Sequence, residues 1–271
     1  MFKLDLLRDL TKRIIILKII EYKSFDQKGT YFMLSNSMMH AIRDIAVLFP
    51  AFLLVFTFRG FSRAIVARWM GDNTAYHEGF VTLNPLAHVD IFGLSLVLLF
   101  VYLLGLLLGG HAPRSMLYIL LIFMGVRWTY PVPFEPRNFK KLKRGAVLTI
   151  LAGSLGCFLL VYLFLYLHKY IPYNRMALGA ALTLKSICDT VIMLSAYFGV
   201  LALVPIPPFD GGKLLQFVLP YSKQGIVTWL EEYSLFILLG LFLLPVVSDI
   251  FFGTIGFLGI MIISLLSYIV F

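Results

Sequence analysis

Residues 45–70 read IAVLFPAFLLVFTFRGFSRAIVARWM. A transmembrane helix needs about 20 mainly apolar residues, so this stretch predicts a membrane span. Its second half carries Arg59, Arg63 and Arg68. The first half is apolar, so these three cations are confined to the end of the span that leads into the next loop.

The composition extends the membrane prediction to the whole chain. Of 271 residues, 60% are hydrophobic and 14% are charged, against about 45–50% and 25% in soluble globular proteins. That excludes an ordinary cytosolic enzyme, a disordered chain and a disulfide-stapled secreted module. The formal net charge of +9 fits loop cations that face anionic lipid. No nucleic-acid recognition motif is present, so no nucleic-acid partner is expected.

Together with the first span, the remaining apolar blocks predict five or six spans in an all-α polytopic protein, integral to the lipid bilayer. Residues 1–44 predict a basic amphipathic segment on the membrane surface. Residues 45–220 form a transmembrane core, and residues 221–271 predict a C-terminal transmembrane hairpin. Besides the first span, the core contains apolar stretches at 91–108, 145–168 and 178–204, and a shorter one at 115–126.

The segment PIPPFDGGKLL (205–215) places Asp210 between a proline-rich break and two glycines. A broken helix at membrane depth is tolerated only where it is buried in protein or lines a cavity, and a carboxylate there is usually functional. Alternatively, the segment is a surface turn in which Asp210 caps the next helix. The residues alone leave both interpretations open.

Four segments, in this order and spacing, resemble the site-2 protease family of intramembrane zinc metalloproteases in its short form without a PDZ domain. They are GDNTAYHEGFVTLNPLAHVDIFG (71–93), GVRWTYPVPFEPRNFKKLKRG (125–145), LAGSL (151–155) and LVPIPPFDGGKLL (203–215). The resemblance implies a site-2-protease-like core at about 45–220, with a short extended hairpin at 127–139. It also implies that Asp210 stands where the family has an aspartate zinc ligand.

The family's other site residues are replaced. Counting back from Gly71 and Asp72, the family's H-E-x-x-H run falls on residues 59–63, which read Arg59, Gly60, Phe61, Ser62 and Arg63. In such a run the two imidazoles ligate zinc and the glutamate activates the bound water. Arginine stays protonated and cannot ligate a metal, and glycine is no base. We therefore expect no catalytic residue and no cofactor, with zinc only if the ligands are misaligned.

The spacing of Arg59 and Arg63 puts both side chains on one face of a helix. One interpretation is that they form a salt bridge with Asp210 that replaces the metal. The other is that they extend to the membrane interface. None of the five histidines forms an i, i+4 pair, and we interpret His88 and Asp90 as residues that order their loop.

The leading function hypothesis is a catalytically inactive relative that binds a membrane-protein partner, as a regulator, an assembly factor or a subunit of a larger complex. A second hypothesis is an active intramembrane metalloprotease that cleaves transmembrane segments. A third is an ion or solute transporter that uses the charged side chains within the core. Those side chains are Arg59, Arg63, Lys185, Asp189 and Asp210.

Topology gives two conflicting expectations. The cationic N-terminus and residues 137–144 favour the cytoplasmic side, with residues 71–90, which lack Lys and Arg, on the opposite side. The resemblance implies instead that 71–90 and 137–144 lie on the same side, separated by two crossings.

Overall fold

The computed structural model of the protein describes residues 30–88 and 132–271. All regular secondary structure in these residues is helical, which confirms the all-α fold class. The chain divides into two compact units, residues 1–47 with Phe271, and residues 48–270. The described part of the first unit is the beginning of a helix that starts at Thr30, together with Phe271. The side chains discussed below belong to the second unit.

The described residues contain eight α-helices. In chain order these are α1 Thr30–Met70, α2 Thr74–His77, α3 Leu142–Tyr170, α4 Leu178–Ala202, α5 Asp210–Val218, α6 Gln224–Glu232, α7 Ser234–Leu243 and α8 Pro245–Val270. Short 3₁₀ turns lie at Pro85–Ala87, Pro136–Asn138, Tyr173–Arg175 and Tyr221–Lys223.

Four described segments are long and apolar enough to cross a membrane, which confirms the polytopic prediction. They are Ala46–Met70, Leu142–Tyr170, Leu178–Ala202 and Val246–Val270. The predicted span at 91–108 and the segment at 115–126 lie outside the described residues, as do residues 1–29 of the N-terminal segment.

The structure describes two further regions that the sequence singled out, the first of them in part. The part of the predicted hairpin that the structure describes, residues 132–139, contains a 3₁₀ turn and no strand; its prolines lack the N–H that a sheet ladder needs. In the C-terminal region, α7 has 10 residues and is about 15 Å long. Of the helices described in this region, α8 is long enough to cross the membrane and α7 is not.

Helices α1, α3 and α4 pack around an aromatic group. The ring centroid of Phe56 lies 4.3 Å from that of Phe52 and 4.8 Å from that of Phe198. Glycines allow the helices to approach closely: Gly156 of α3 faces Ser62 of α1. This packing fixes α1 beside α3, with Phe52, Phe56 and Arg63 of α1 buried in the protein interior.

The break before α5 turns the chain sharply. A Cβ atom added to Gly211 would overlap the carbonyl oxygen of Leu203, and one added to Gly212 would overlap the backbone nitrogen of Pro207. The two glycines are therefore needed for the backbone to fold onto itself here. The peptide bond between Pro207 and Pro208 is cis. This turn places Asp210 at the first position of α5, which packs on α3.

Candidate functional site

Two buried salt bridges, which share one carboxylate, join the second half of α1 to the start of α5. We call these two salt bridges the buried ion pair. The Nη2 atom of Arg59 donates to Oδ2 of Asp210 at 2.5 Å, and Nη1 of Arg63 donates to Oδ1 at 2.9 Å. Each guanidinium thus engages a different oxygen of one carboxylate. Asp210 and Arg63 are buried, and the Arg59 side chain is 15% exposed.

The local geometry of three helices positions these side chains. Arg59 and Arg63 are one turn apart on the same face of α1. Helix α3 passes close to their aliphatic stems at Gly153, where an added Cβ would lie 3.1 Å from Cδ of Arg63 and 3.5 Å from Cγ of Arg59. The glycine in LAGSL therefore leaves room for both arginines between α1 and α3. Sequence reasoning singled out LAGSL without assigning Gly153 this role.

Gly60, between the two arginines, faces His88. A Cβ added to Gly60 would overlap Nδ1 of the His88 imidazole. That ring is 1% exposed, and its Nε2 lies 2.9 Å from the carbonyl oxygen of Thr82. Since a carbonyl can only accept, Nε2 carries the proton. Nδ1 faces Gly60 and has no hydrogen-bond partner in the described parts of the chain. Burial lowers the pKa of His88 below its ordinary value of 6.5, against the opposing effect of the Thr82 hydrogen bond.

Asp72 joins the loop after α1 to the proline-rich loop before α3. Its Oδ1 accepts hydrogen bonds from the Thr74 backbone and hydroxyl and from Nδ2 of Asn138, and its Oδ2 accepts from the Glu135 N–H at 2.8 Å. Gly71 ends α1 with φ of +111°, a left-handed conformation that favours glycine. Sequence reasoning used Asp72 as an alignment landmark and missed this bridging role.

These contacts decide between the two topological expectations. Residue 72 hydrogen-bonds to residues 135 and 138, and the Lys140 N–H donates to the Met70 carbonyl oxygen at 3.2 Å. Loops in hydrogen-bond contact lie on the same side of a membrane, so the expectation from loop charge that they lie on opposite sides is wrong. Loop charge is a statistical guide, whereas these bonds fix the relation of the two loops directly.

The remaining predicted residues lie elsewhere. Asp90 is outside the described residues. Lys185 and Asp189 lie on α4 and interact electrostatically with His168 near the end of α3. His168 is 15 residues from Gly153 along α3, or about 22 Å at 1.5 Å per residue. The charged residues of the transporter hypothesis therefore divide into two separate groups.

The chain is similar in sequence to a known bacterial protein. The protein named "Putative zinc metalloprotease YwhC", from Bacillus subtilis (strain 168), is 28% identical to this chain over 198 residues, which cover 72% of this chain and 80% of the relative. This similarity supports a site-2-protease-like family for this membrane protein. The match confirms the family resemblance that the four segments predict. No family model and no solved structure matches the chain.

The site-2-protease-like core can be tested for a fit to zinc. Zinc in proteins takes thiolate, neutral imidazole or carboxylate ligands, commonly at least three from the protein. At the expected position, both oxygens of Asp210 accept guanidinium hydrogen bonds, and the arginines have no lone pair to donate. No group of three or more His, Cys, Asp or Glu side chains within 30–88 and 132–271 could hold a metal ion. The donor set described here therefore does not fit zinc.

Proposed function

We propose that this site-2-protease-like protein is catalytically inactive and binds membrane-protein partners, in a regulatory, assembly or structural role. The observation that carries the proposal is the ion pair of Arg59 and Arg63 with Asp210. It occupies the position that the resemblance assigns to two metal-ligating imidazoles and their aspartate. The same two helices that a metal would join are joined here by charge-assisted hydrogen bonds.

The side chains at this position do not supply the metal ligands and the general base that peptide hydrolysis needs. A water molecule becomes a nucleophile at neutral pH when a metal lowers its pKa or a base removes its proton. Gly60 has no side chain to act as a base, and the His88 ring packs on the space beside it. Asp210 is held by two permanent cations, so its oxygens are engaged already.

The retained charges support a role beyond stability. Replacing a buried ion pair by well-packed apolar residues is often neutral or stabilising, so stability alone does not explain three buried charged side chains. A carboxylate held from two sides fixes α1 and α5 in one register. We propose that this rigid arrangement presents a fixed helix surface to a partner protein within the bilayer.

Zinc content and proteolysis test the proposal. The full chain is purified in detergent, its zinc is measured by mass spectrometry, and cleavage of a reconstituted transmembrane reporter is followed, with Asp210→Ala as the control. We expect no stoichiometric zinc and no cleavage that depends on Asp210. One zinc ion per chain, or cleavage lost in Asp210→Ala, would instead establish the metalloprotease hypothesis.

A restored variant provides the matched positive control. Arg59→His, Gly60→Glu and Arg63→His together recreate the H-E-x-x-H run, and His88→Ala is added because the His88 ring would overlap a side chain at residue 60. We expect this fourfold variant to bind zinc in the same measurement. Zinc binding by the restored variant and not by the natural chain shows that the assay detects a competent site.

A further inference from the structure

Lys213 adds a third cation to the buried ion pair. It lies in the first turn of α5, three residues after Asp210, and is partly buried. It interacts electrostatically with Arg63, Asp210 and Arg59, which places it within the same cluster. The backbone N–H of Lys213 donates to the Phe209 carbonyl oxygen, but its ammonium group forms no hydrogen bond or ion pair with any residue that the structure describes.

The charges of this cluster do not balance. Among the residues that the structure describes, three cations, Arg59, Arg63 and Lys213, lie beside one carboxylate, that of Asp210, and these four side chains carry a net charge of two positive units. The Nε atoms of Arg59 and Arg63 are buried, and neither has a hydrogen-bond partner in the described parts of the chain. Helix α5 also directs the positive end of its dipole toward this point.

An unbalanced buried cation is costly because low-dielectric surroundings do not replace its hydration. A second anion beside the cluster would remove that cost. It would also supply an acceptor for the Lys213 ammonium, which is only partly buried. The chemical class that fits is an oxyanion able to accept from several nitrogen donors at once, of which a carboxylate is the smallest in proteins.

The depth of the cluster identifies the source of that anion. Arg59 lies 13 residues after Ala46 and 11 residues before Met70, or about 20 Å and 17 Å from the ends of its span at 1.5 Å per residue. The hydrocarbon core is about 30 Å thick, so the cluster lies near its middle. Lipid phosphates at the surface are about 15 Å away, whereas a side chain of another transmembrane segment can lie at this depth.

We propose that Arg59, Arg63 and Lys213 bind the carboxylate of an aspartate or glutamate in a transmembrane segment of a partner protein. The exposed fraction of Arg59 gives the side from which the segment approaches, since Arg63 is nearly fully covered. This inference rests on the proposed function, in that it gives the chemistry of the partner that the inactive core binds. It predicts a partner that pairs through a single acidic residue at mid-membrane depth.

Model peptides test this directly. The probe is a leucine–alanine transmembrane peptide with one central glutamate, and its control is the same peptide with glutamine. Each carries a fluorescent label and is mixed with the labelled full chain in phosphatidylcholine vesicles, and association is measured by energy transfer. Lys213→Gln is the test variant because it leaves the ion pair of Arg59, Arg63 and Asp210 intact. Lys223→Gln, at an exposed lysine on the turn before α6, is the matched control.

We expect the natural chain to prefer the glutamate peptide at least about tenfold, equivalent to about 1.4 kcal/mol. Lys213→Gln reduces that preference several-fold, and Lys223→Gln leaves it unchanged. Equal association of the two peptides, no association of either, or a preference insensitive to Lys213→Gln overturns the inference. Loss of the preference on adding anionic phosphatidylglycerol would assign the cluster to lipid phosphate and also overturns it. None of these results involves zinc or cleavage, so the proposed inactivity is judged separately.

Discussion

Asp72 and Asp210 are both buried aspartates, with 0% and 4% of their surfaces exposed, but they are stabilised in different ways. Asp72 accepts four hydrogen bonds from uncharged donors in two loops. Asp210 pairs with two guanidinium groups from one helix. The first carboxylate is balanced by dipoles and the second by full charges.

The difference shows what each aspartate does for the fold. Dipoles oriented around Asp72 hold the loop after α1 against the loop before α3, and removing the carboxylate frees only those loop donors. Removing the carboxylate of Asp210 leaves two like charges buried between α1, α3 and α5 without compensation. Asp210, at the position where the family resemblance implies a metal ligand, therefore forms an electrostatic link between helices. Asp72 stabilises an ordinary structured turn.

The largest effect is expected for Asp210→Ala. It leaves the buried Arg59 and Arg63 guanidiniums unpaired, and breaking a buried pair in this way typically destabilises a protein by about 3–5 kcal/mol. The free energy of unfolding in detergent micelles, measured by chemical denaturation, checks this. Glu232→Ala, at an exposed position on α6, is the control and should change little. A loss below about 1 kcal/mol for Asp210→Ala would show that the link carries no stability.

Arg63→Met is expected to cost less, about 1–3 kcal/mol, because Asp210 keeps its contact with Arg59. The double variant Arg63→Met with Asp210→Ala should be more stable than the sum of the two single losses predicts, by about 0.5–3 kcal/mol. The same denaturation measurement on all four proteins gives this coupling energy. Simple additivity would contradict a direct Arg63–Asp210 interaction.

Gly60→Ala tests whether the His88 ring occupies the space beside the arginines. An added methyl group overlaps Nδ1 of His88, and overpacking of this kind typically costs about 1–3 kcal/mol. Adding His88→Ala should recover part of the loss, which melting temperatures of the single and double variants would reveal. Without such recovery, the histidine would not be what restricts residue 60.

Asp72→Asn is expected to have the smallest effect at neutral pH, about 1–2 kcal/mol, since asparagine loses one acceptor oxygen among several donors. Burial opposes ionisation of Asp72, but hydrogen bonds from Thr74, Asn138 and Glu135 hold its pKa below the ordinary 3.8. The folded protein therefore binds fewer protons here than the unfolded chain. This contribution is complete above about pH 4 and is lost as the pH falls through the lower folded pKa.

The pH dependence of the unfolding free energy tests whether Asp72 is ionised in the folded protein. As the pH falls below about 4, the natural chain should progressively lose the Asp72 contribution, whereas Asp72→Asn should show a shallower decline. Unfolding free energies at a series of pH values provide the comparison. Identical acid profiles for the two proteins would contradict ionised Asp72 as the bridge between the loops.

The sequence predicts much of the helical frame. The apolar runs at 45–70, 145–168 and 178–204 correspond to the observed spans Ala46–Met70, Leu142–Tyr170 and Leu178–Ala202, because run length alone determines whether a helix can cross hydrocarbon. Loop charge predicts the wrong relation between the loops after α1 and before α3. A charge count carries no information about hydrogen bonds between residues that are 63 or 66 positions apart in the chain.

The sequence predicts those chemical properties of the site that depend only on the type of side chain. Guanidinium in place of imidazole excludes metal ligation at residues 59 and 63 in any fold, because the lone pair is missing. The partners of these arginines required coordinates, since pairing with Asp210 and extension toward the interface were both compatible with the sequence. The contact of Gly60 with His88 and the place of Gly153 against the arginine stems are likewise properties of packing.

Hydrophobicity and side-chain chemistry are local, so the sequence by itself determined the membrane-spanning character of this protein and the change of charge at residues 59 and 63. Distances between residues far apart in the chain depend on how the helices pack. Only the tertiary structure decided that one carboxylate at the start of α5 lies within 3 Å of both guanidiniums of α1.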